Sequence, residues 1–480
     1  MATPNTHYGP EMIQSMLDGC KHLFFIGIGG VNMSSLAEIS ARRGYRVSGS
    51  DHARSAITKH LEAMGIPVYL THDEENLSDA DAVIYTVAVP SDNPEYREAL
   101  RRGIPLISRA DYLGYIMTGY RSRIGVSGMH GKSTTTSMCA QIFMDADRNP
   151  TVTSGAALRS MGGYYRIGGE DSFIFEACEY MDSFLDFSPT VAIILNIEMD
   201  HVDYFKSMEQ IRASYRAFAD KVLASEDGYV ICNSDDDEIM CALQGFAGRI
   251  YTFGTQVQNG CRPDFLAENI RTENGRTVFS MYRCKAGEKE LVCEISLRVP
   301  GRHQVMNALA SSAAAYLAGI SGEEIAMALG RFAGAERRME YKGTLNGAAL
   351  YDDYGHHPTE VKTTLAGAST MGGKRLFCVF QPHTYSRTKS LFYDFARAFD
   401  DTDGVFLVDI YAAREIDTLG VSSELLAKEI GDRATYCPSF RDAAELVKKT
   451  LHAGDVLVVM GAGNVYDLFR LLEPDMKSEG

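Results

Sequence analysis

Apolar strand-like runs that lead into a glycine turn and then into a helical pattern recur along this chain. The first is His22–Gly30, the second is Arg123–Ser133, and the third starts at Val456–Met460 and turns at Gly461. Further apolar runs of strand length alternate with helical patterns between them, at Ala82–Val87, Phe173–Glu176, Val191–Ile197, Leu376–Phe380 and Val405–Ile410. Strands that alternate with helices favour parallel sheets covered by helices. The pattern therefore predicts an α/β fold with mostly parallel sheets.

The length and the positions of these units predict the domain organisation. The chain has 480 residues, which at about 150 residues per domain favours three domains. The second glycine turn places one boundary near residue 120, and the stretch Phe332–Ala335 places another near residue 334. We therefore expect three α/β domains, over residues 1–119, 120–334 and 335–480.

Composition argues against several classes of protein. Lys and Arg total 47 against 63 Asp and Glu, a formal charge of −16 that would repel a nucleic acid. No apolar stretch approaches the roughly 18 residues of a membrane span. The first residues lack a basic segment followed by an apolar one, so we expect no signal peptide and a cytoplasmic protein. None of the ten cysteines forms a C-x-x-C pair, which argues against a zinc ribbon or a redox motif.

The segment GMHGKS, residues 128–133, is the most informative for chemistry. Its glycines let backbone N–H groups approach phosphate oxygens, and the following helix presents its N-terminus to the same anion. Lys132 would contact the β- and γ-phosphates, and the Ser133 hydroxyl would bind Mg²⁺. The usual motif has a further glycine where this chain has Val126, so the loop is a shortened variant. An ordinary strand–turn–helix is the alternative.

Two strand ends downstream carry groups suited to a metal ion. Glu176 ends an apolar strand, where a phosphate loop needs a metal-binding carboxylate. Asn196, Glu198, Asp200 and His201 follow another core strand, and ligand sites in open α/β sheets lie at such strand ends. His201 therefore fits a ligand of a second metal ion, although a hydrogen-bonded loop histidine would give the same pattern.

The first glycine turn resembles a dinucleotide fingerprint that lacks its last glycine. Gly29 and Gly30 are followed by Asn32 at the third glycine position, and Asp51 lies near the end of the next strand. This pattern fits a diphosphate bound at a helix N-terminus. It is weak support for NAD, because nucleotide-sugar sites produce the same broken signal.

The last third of the chain contains three clusters of basic or histidine residues. They are YDDYGHHP at 351–358, FQPHTYSRT at 380–388 and the pair Arg337 and Arg338. In an acidic protein, such clusters suggest anion binding in a shared cleft. His356 and His357 would also suit zinc, but no cysteine or carboxylate pattern completes that site.

Together these motifs resemble those of the Mur ligase family. The matching segments occur in the family's order and span residues 24 to about 468: GIGGVNMSSLAE, GMHGKSTTT, EACEYMDSFL, NIEMDHVDYF, PGRHQVMNALA, FAGAERRMEY, DDYGHHPTEV, FQPHTYSRT and GAGNVYDL. The resemblance implies a Rossmann-like UDP-binding domain, a central P-loop ATPase-like domain and a Rossmann-like C-terminal domain for the incoming amino acid.

The resemblance also implies a reaction. A ligase of this kind joins L-alanine to the carboxylate of UDP-N-acetylmuramate in peptidoglycan precursor synthesis, with ATP forming an acyl-phosphate intermediate. Mg²⁺, which Mn²⁺ can replace, and cationic side chains neutralise the approach of two anions. The implied partners are these three substrates, with no nucleic acid and no membrane insertion, and the chain is expected to be a monomer or a weak homodimer.

By the same resemblance, each motif contributes site residues. The ATP-binding residues are Gly128, Met129, His130, Gly131, Lys132, Ser133, Thr134, Asn307 near adenine and Asp352 near ribose. The metal ligands are Ser133, Glu176 and His201. The catalytic residues are Lys132, His130, His201, Arg338, His357 and Arg387, of which the last three approach the acyl centre and the alanine carboxylate. The UDP-sugar site is lined by Gly29, Gly30, Asn32, Ser50 and Asp51.

Four positions depart from the family's usual residues. Met129 and Ser133 each replace a threonine, Cys178 stands where aspartate is common, and Gln304 stands where asparagine is common. The hydroxyl at Ser133 is retained, and Glu176 and Asn307 are intact, so we expect an active enzyme.

Three other functions stay open. A related ligase attaches a recycled peptide to the same nucleotide sugar and would differ in its C-terminal pocket, although DDYGHHPTE and FQPHTYSRT favour the alanine-adding enzyme. A non-catalytic nucleotide-binding protein on this scaffold predicts loss of Lys132, Glu176 or His201, and all three are present. A nicotinamide oxidoreductase would rest on the two glycine turns and leave the phosphate loop without a role.

Overall fold

The computed structural model describes residues 3–201, 204–257, 262–273, 275–299, 301–413, 415–417 and 419–477, apart from the side chain of Arg159. The chain forms two compact units. The first comprises Met1–Ile197 and Arg212–Tyr251, and the second comprises Glu198–Ile211 and Thr252–Gly480. Each unit contains one complete, mostly parallel sheet.

The N-terminal part of the first unit is a parallel sheet in the order β3-β2-β1-β4-β5. Its strands are β1 (His22–Ile26), β2 (Arg46–Ser50), β3 (Val68–Tyr69), β4 (Ala82–Tyr85) and β5 (Leu106–Ser108). Its helices are α1 (Pro10–Leu17), α2 (Val31–Arg42), α3 (Ala56–Ala63), α4 (Pro94–Arg102) and α5 (Arg109–Met117), with a 3₁₀ turn at Glu74–Leu77. This is the Rossmann order, so a ligand cleft is expected beyond the carboxyl end of the central strand β1.

The rest of the first unit contains strands in the order β11-β10-β6-β9-β7-β8. They are β6 (Ser122–Ser127), β7 (Thr151–Leu158), β8 (Gly163–Arg166), β9 (Ser172–Glu176), β10 (Val191–Ile194) and β11 (Tyr229–Asn233). Only the β7–β8 pairing among them is antiparallel in the described registers. The associated helices are α6 (Lys132–Asp145), α7 (Met208–Asp220), which belongs to this unit from Arg212 onward, and α8 (Asp237–Ala242). Segments of 3₁₀ helix lie at Arg159–Met161, Tyr180–Asp186 and Lys221–Ala224. The carboxyl ends of β6, β9 and β10 therefore lie at one edge.

The second unit begins its sheet structure with a region that the sequence did not predict to be antiparallel. It contains the end of β12 (Arg249–Gly254), from Thr252 onward, and β13 (Phe265–Glu273), β14 (Arg276–Lys285) and β15 (Glu288–Leu297), with α9 (Arg302–Leu317) and α10 (Gly322–Arg331). Strands β13, β14 and β15 pair antiparallel. Ala286 and Gly287 connect β14 to β15 with φ of 52° and 85°, and a two-residue turn of this kind leaves no room for the crossover that parallel strands need.

The C-terminal sheet has the order β20-β19-β18-β21-β17-β16-β22. Its strands are β16 (Glu340–Leu345), β17 (Ala348–Asp353), β18 (Leu376–Phe380), β19 (Gly404–Leu407), β20 (Ala434–Tyr436), β21 (Val456–Met460) and β22 (Met476–Lys477). Its helices are α11 (Pro358–Ser369), α12 (Tyr385–Ser390), α13 (Phe392–Arg397), α14 (Ser423–Ile430), α15 (Phe440–Thr450) and α16 (Leu468–Leu472), with 3₁₀ turns at Val465–Asp467 and Glu473–Asp475. The five strands from β20 to β17 are parallel, and β16 and β22 are antiparallel at the edge.

Apolar residues pack on both faces of this C-terminal sheet. Val379 and Leu457 belong to one buried cluster, whereas their neighbours Cys378 and Val458 belong to the other. This alternation is what buried parallel strands require, because successive side chains point to opposite faces. The predicted α/β class with mostly parallel sheets is confirmed. Within the described residues, every helix is too short or too polar to cross a membrane.

Candidate active site

The segment 128–133 forms a loop between β6 and α6 in the first unit. Gly128 and Gly131 have φ of 140° and 84°, conformations that a side chain would strain. A Cβ at Gly128 would also lie 2.9 Å from the Cβ of Leu195. Helix α6 begins at Lys132, so its first N–H groups face the loop. The local geometry suits an anion at a helix N-terminus.

Asn196, which follows β10, holds this loop through backbone contacts. Its Oδ1 accepts from the His130 N–H (2.8 Å), and its Nδ2 donates to the His130 carbonyl (3.0 Å). The Met129 N–H donates to the Asn196 carbonyl (3.3 Å). From the sequence, Asn196 was expected at a strand end, but its contact with the loop could not be predicted. The contact depends on β10 lying next to β6, which only the strand order of the sheet determines.

Lys132 is directed back toward its own loop. Its ammonium donates to the carbonyls of Gly128 (2.6 Å) and Met129 (3.2 Å) and to both oxygens of Glu179 (3.0 and 3.2 Å). Burial would lower the pKa of Lys132, but the Glu179 carboxylate outweighs that effect and raises it overall. The lysine is therefore a cation at every physiological pH. Glu179 was not singled out from the sequence, where it differs from Glu176 only by position in EACE.

Ser133, Thr134 and Glu176 supply oxygen atoms near this loop. Ser133 and Thr134 lie in the first turn of α6 and are largely buried. Glu176 ends β9 opposite Val126 of β6, and its Oε1 accepts from the Gly155 N–H (2.9 Å). A hydroxyl and a carboxylate are the donor types that Mg²⁺ prefers, so this donor set fits the implied metal.

The first glycine turn carries an internal carboxylate contact. The Gly29 N–H donates to Asp51 Oδ2 (2.9 Å), and a Cβ at residue 29 would lie 2.8 Å from that oxygen. Gly27 has φ of 82°, Gly30 precedes α2 as its N-cap, and Asn32 lies in the first helical turn. The turn therefore exposes the N-terminus of α2. The Gly29 N–H of the turn already donates to the Asp51 carboxylate.

Ser50 belongs to a buried polar network at the end of β2. Its hydroxyl donates to Glu95 Oε2 (2.6 Å) and contacts His72 Nδ1 (2.9 Å). His72 Nδ1 lies 2.8 Å from the same Glu95 oxygen, and Asn76 donates to the other oxygen (2.8 Å). Sequence reasoning missed His72 and Glu95, because neither lies in a motif and both are far from Ser50 along the chain.

In the second unit, Asp200 and Arg387 form a buried ion pair. Arg387 Nη2 lies 3.1 Å from Asp200 Oδ1 and 3.4 Å from Oδ2, and its Nε lies 3.2 Å from Oδ1. Burial would raise the pKa of Asp200, but Arg387 and nearby histidines lower it overall. The next residue, His201, has φ of 48° and donates its N–H to Asp200 Oδ1 (2.7 Å).

His357 caps helix α11 beside Glu198. Its Nδ1 accepts from the Thr359 N–H (3.3 Å) and lies 4.0 Å from Glu198 Oε1. Thr359 Oγ1 donates to Glu198 Oε2 (2.9 Å). The structure thus brings the predicted residue His357 together with Glu198, which the sequence placed at a strand end 159 positions earlier without a role.

The two arginines 337 and 338 have different surroundings. Arg338 stacks over the Tyr354 ring (5.1 Å) and lies 3.9 Å from Glu360 Oε1. Arg337 lies 3.4 Å from Asp352, the predicted ribose contact. Burial raises the pKa of Asp352 to about 6, although Arg337 works against that shift.

Asn307, the predicted adenine contact, lies in α9 and is buried. Its Nδ2 donates to Gln304 Oε1 (3.3 Å), and Gln304 Nε2 contacts His303 Nε2 (3.0 Å). Burial lowers the pKa of His303 to about 4, so its ring is neutral at pH 7. Gln304, one of the departures from the family's pattern, therefore links His303 to Asn307.

Three family models match the chain in succession. The model described as "Mur ligase family, catalytic domain" matches residues 22–121, "Mur ligase middle domain" matches 126–315, and "Mur ligase, glutamate ligase domain" matches 337–463. Their order agrees with the order of the motifs in the sequence.

Curated relatives extend along almost the whole chain. The UDP-N-acetylmuramate–L-alanine ligase of Acetivibrio thermocellus is 45% identical over 459 residues, which cover 95% of this chain and 96% of that protein. The chain belongs to the Mur ligase family. The ligase of the same name from Clostridium novyi is 44% identical over 452 residues, which cover 94% of this chain and 96% of that protein.

A solved structure supports the same three-domain α/β architecture. The UDP-N-acetylmuramate–alanine ligase of Thermotoga maritima matches with a TM-score of 0.76 and 26% identity. The match covers 94% of this chain and 98% of that one. The predicted family and fold are therefore confirmed, while the exact domain boundaries and the roles of individual site residues stay predictions.

Proposed function

We propose that this chain is an ATP-dependent ligase that joins L-alanine to the carboxylate of UDP-N-acetylmuramate in peptidoglycan precursor synthesis. The observation that carries the proposal is 44–45% identity to two ligases of that name along at least 94% of this chain. The phosphate loop supports it, because an ammonium, a hydroxyl and a helix N-terminus lie together in residues 131–133.

In the first half-reaction, the muramoyl carboxylate attacks the γ-phosphorus of ATP, so an acyl phosphate forms and ADP leaves. Both reactants are anions, and their approach therefore needs positive charge. Lys132 supplies an ammonium, and the first turn of α6 supplies N–H groups at the positive end of its dipole. His130, whose backbone Asn196 fixes, would approach the reacting carboxylate or phosphate.

Metal binding would use oxygen and nitrogen donors of three residues. Ser133 and Glu176 would hold Mg²⁺, and His201 would ligate a second metal ion. The carboxylate of Glu176 is already oriented by the Gly155 N–H. Mn²⁺ accepts the same donor types and could substitute. A bound divalent cation would supply charge neutralisation at the phosphates.

In the second half-reaction, the amine of L-alanine attacks the acyl carbonyl, and phosphate leaves from the tetrahedral intermediate. Arg338, His357 and Arg387 would approach the acyl centre and the alanine carboxylate. The contacts of Arg387 with Asp200 show that its guanidinium is placed to hold a carboxylate. Neither half-reaction requires a covalent enzyme nucleophile, because ATP activates the carboxylate directly.

The remaining predicted residues would bind the two nucleotides. Asn307 would contact adenine, and Asp352 would lie near the ribose of ATP. The remaining ATP-binding positions are Gly128, Met129, Gly131 and Thr134, and the UDP-sugar positions are Gly29, Gly30, Asn32, Ser50 and Asp51. We place the domain boundaries near residues 120 and 334, which gives domains 1–119, 120–334 and 335–480. The enzyme would act as a monomer or a weak homodimer in the cytoplasm, where its substrates are made.

The experiment that tests this function measures phosphate release from ATP with UDP-N-acetylmuramate and Mg²⁺, while each amino acid is offered separately. We expect the fastest release with L-alanine and none without the nucleotide sugar. Release only with a preformed peptide would indicate the recycling ligase instead. No release under any combination would contradict an active ligase.

A further inference from the structure

The ammonium of Lys132 is paired with the carboxylate of Glu179, to which the proposed mechanism assigns no role. Glu179 is fully buried, and the lysine side chain is 15% exposed. Both Glu179 oxygens lie within 3.2 Å of Nζ. A lysine on a flexible stem can change partners, since its ammonium is a point charge with three rotatable donors. Lys132 is therefore able to exchange the Glu179 carboxylate for another anion.

The backbone after Glu179 keeps its carboxylate at this position. The Asp182 N–H donates to the Glu179 carbonyl (2.9 Å), and Met181 and Asp182 both have φ of 54°. The Ser214 hydroxyl of α7 donates to the Asp182 carboxylate. Left-handed conformations at non-glycine residues persist only when their surroundings enforce them. Glu179 is thus set by a tightly defined turn.

We propose that Glu179 is a positioning residue that holds Lys132 back on the phosphate loop until a nucleotide replaces its carboxylate with phosphate. The inference rests on the proposed function, because it requires that Lys132 contact ATP. Nucleotide binding then includes the breaking of a buried ion pair, which lowers the affinity for ATP. In return, the ammonium is already charged and already lies at the phosphate loop before ATP binds.

Replacing Glu179 with Gln tests this directly, because the amide keeps the shape and one acceptor oxygen but removes the charge. We expect full-length Glu179→Gln to bind ATP and ADP roughly fivefold more tightly than wild type in the absence of Mg²⁺ by calorimetry, since a competing carboxylate is gone. Glu226→Gln is the matched control. Glu226 is exposed near the amino end of β11, opposite the edge of the sheet that carries the phosphate loop. The Glu226→Gln variant should therefore bind ATP and ADP with the affinity of wild type. Equal or weaker binding by folded Glu179→Gln would overturn the inference.

A second measurement does not depend on the variant. In a crystal structure of the wild-type protein with a non-hydrolysable ATP analogue, we expect Lys132 Nζ to contact a phosphate oxygen and to lie beyond hydrogen-bond distance of Glu179. If Lys132 Nζ keeps both contacts with Glu179 while nucleotide is bound, the inference that phosphate replaces Glu179 is wrong. Absence of ATP binding to wild type would instead overturn the proposed function, and this inference with it.

Discussion

Lys132 and Arg387 are both largely buried cations that pair with buried carboxylates, one in each unit of the chain. Lys132 shares its ammonium between Glu179 and two carbonyls of its own loop. Arg387 makes three contacts with Asp200, which lies 187 residues away. A planar guanidinium in such a geometry is fixed in orientation, whereas an ammonium can change partners. We therefore expect the first pair to separate when a ligand binds, and the second to stabilise the fold while it holds Arg387 in place for its proposed role.

The largest expected effect is on turnover at Lys132. Lys132→Ala removes the ammonium from the phosphates, and we expect kcat for phosphate release to fall at least about 100-fold. Because Glu179 is then buried without its cation, the melting temperature should also fall. The double variant Lys132→Ala/Glu179→Gln should regain that stability but not the turnover.

Lys59→Ala, at an exposed position of α3, is the control for loss of one positive charge. Substantial turnover by folded Lys132→Ala would remove this lysine from the phosphate site.

The next effect concerns the stability of the second unit. Arg387→Met leaves Asp200 buried without its partner, and we expect a loss of about 3 kcal/mol in the free energy of unfolding. Arg387→Met/Asp200→Asn should recover part of it, because no charge is then left unpaired.

The pH dependence gives this prediction a sign. The pKa of Asp200 is lower in the folded state, so its contribution is present above the unfolded pKa of about 3.9 and is lost as pH falls further. The difference between wild type and Arg387→Met in urea unfolding should shrink as pH falls from 7 toward 3, because protonation removes the unpaired charge of Asp200 in the variant. A difference that stays constant from pH 7 to pH 3 would contradict the role given to this pair.

A smaller effect is expected at the residue that orders the phosphate loop. Asn196→Ala removes two hydrogen bonds to the His130 backbone. At about 1 kcal/mol each, their loss should raise KM for ATP by up to roughly 30-fold. Asn233→Ala removes an amide that donates to the Leu195 carbonyl (3.1 Å) at the end of β11 and leaves the loop contacts intact. If both variants raise KM equally, Asn196 has no specific effect on the loop.

The smallest expected effect is a pH dependence at Asp352. Its pKa is raised to about 6 by burial, so between about pH 4 and 6 the folded state binds more protons than the unfolded state. Stability contributed by this group therefore falls as pH rises through that window. In Asp352→Asn, the decrease in the free energy of unfolding between pH 4 and pH 6 should be smaller by about 1 kcal/mol. Unfolding measured at pH 4, 5 and 6 tests this. An unchanged slope would show that Asp352 ionises normally.

Much of the architecture could be predicted because it depends on local signals. The predicted strand, glycine turn and helix start at Arg123–Ser133 correspond to β6, a loop with two positive-φ glycines, and the first residues of α6. Apolar residues on successive strand positions identified buried parallel strands such as β10 and β18. The direction of the antiparallel strands β13–β15 was missed, because short turns rather than periodicity decide it.

Candidate site residues were predictable when they lay in a motif with its own chemistry. Lys132, Ser133 and Glu176 belong to that group, since a phosphate loop and a strand-end carboxylate are defined by neighbouring residues. Their partners were not predictable in the same way. Glu179 and Glu176 are both acids in EACE, and only the turn that follows directs Glu179 to the lysine.

The sequence by itself determined the family, the α/β class, the order of the phosphate loop and strand ends, and the residue types available for ligand binding. These features reside in short segments whose backbone preferences and periodicity are local. Only the tertiary structure decided which polar and charged groups meet, such as Arg387 with Asp200 and Ser50 with Glu95. Strand order and packing bring those residues together across 187 and 45 positions of the chain. No local pattern carries that information, because a buried charge is stabilised by whichever partner the fold places beside it.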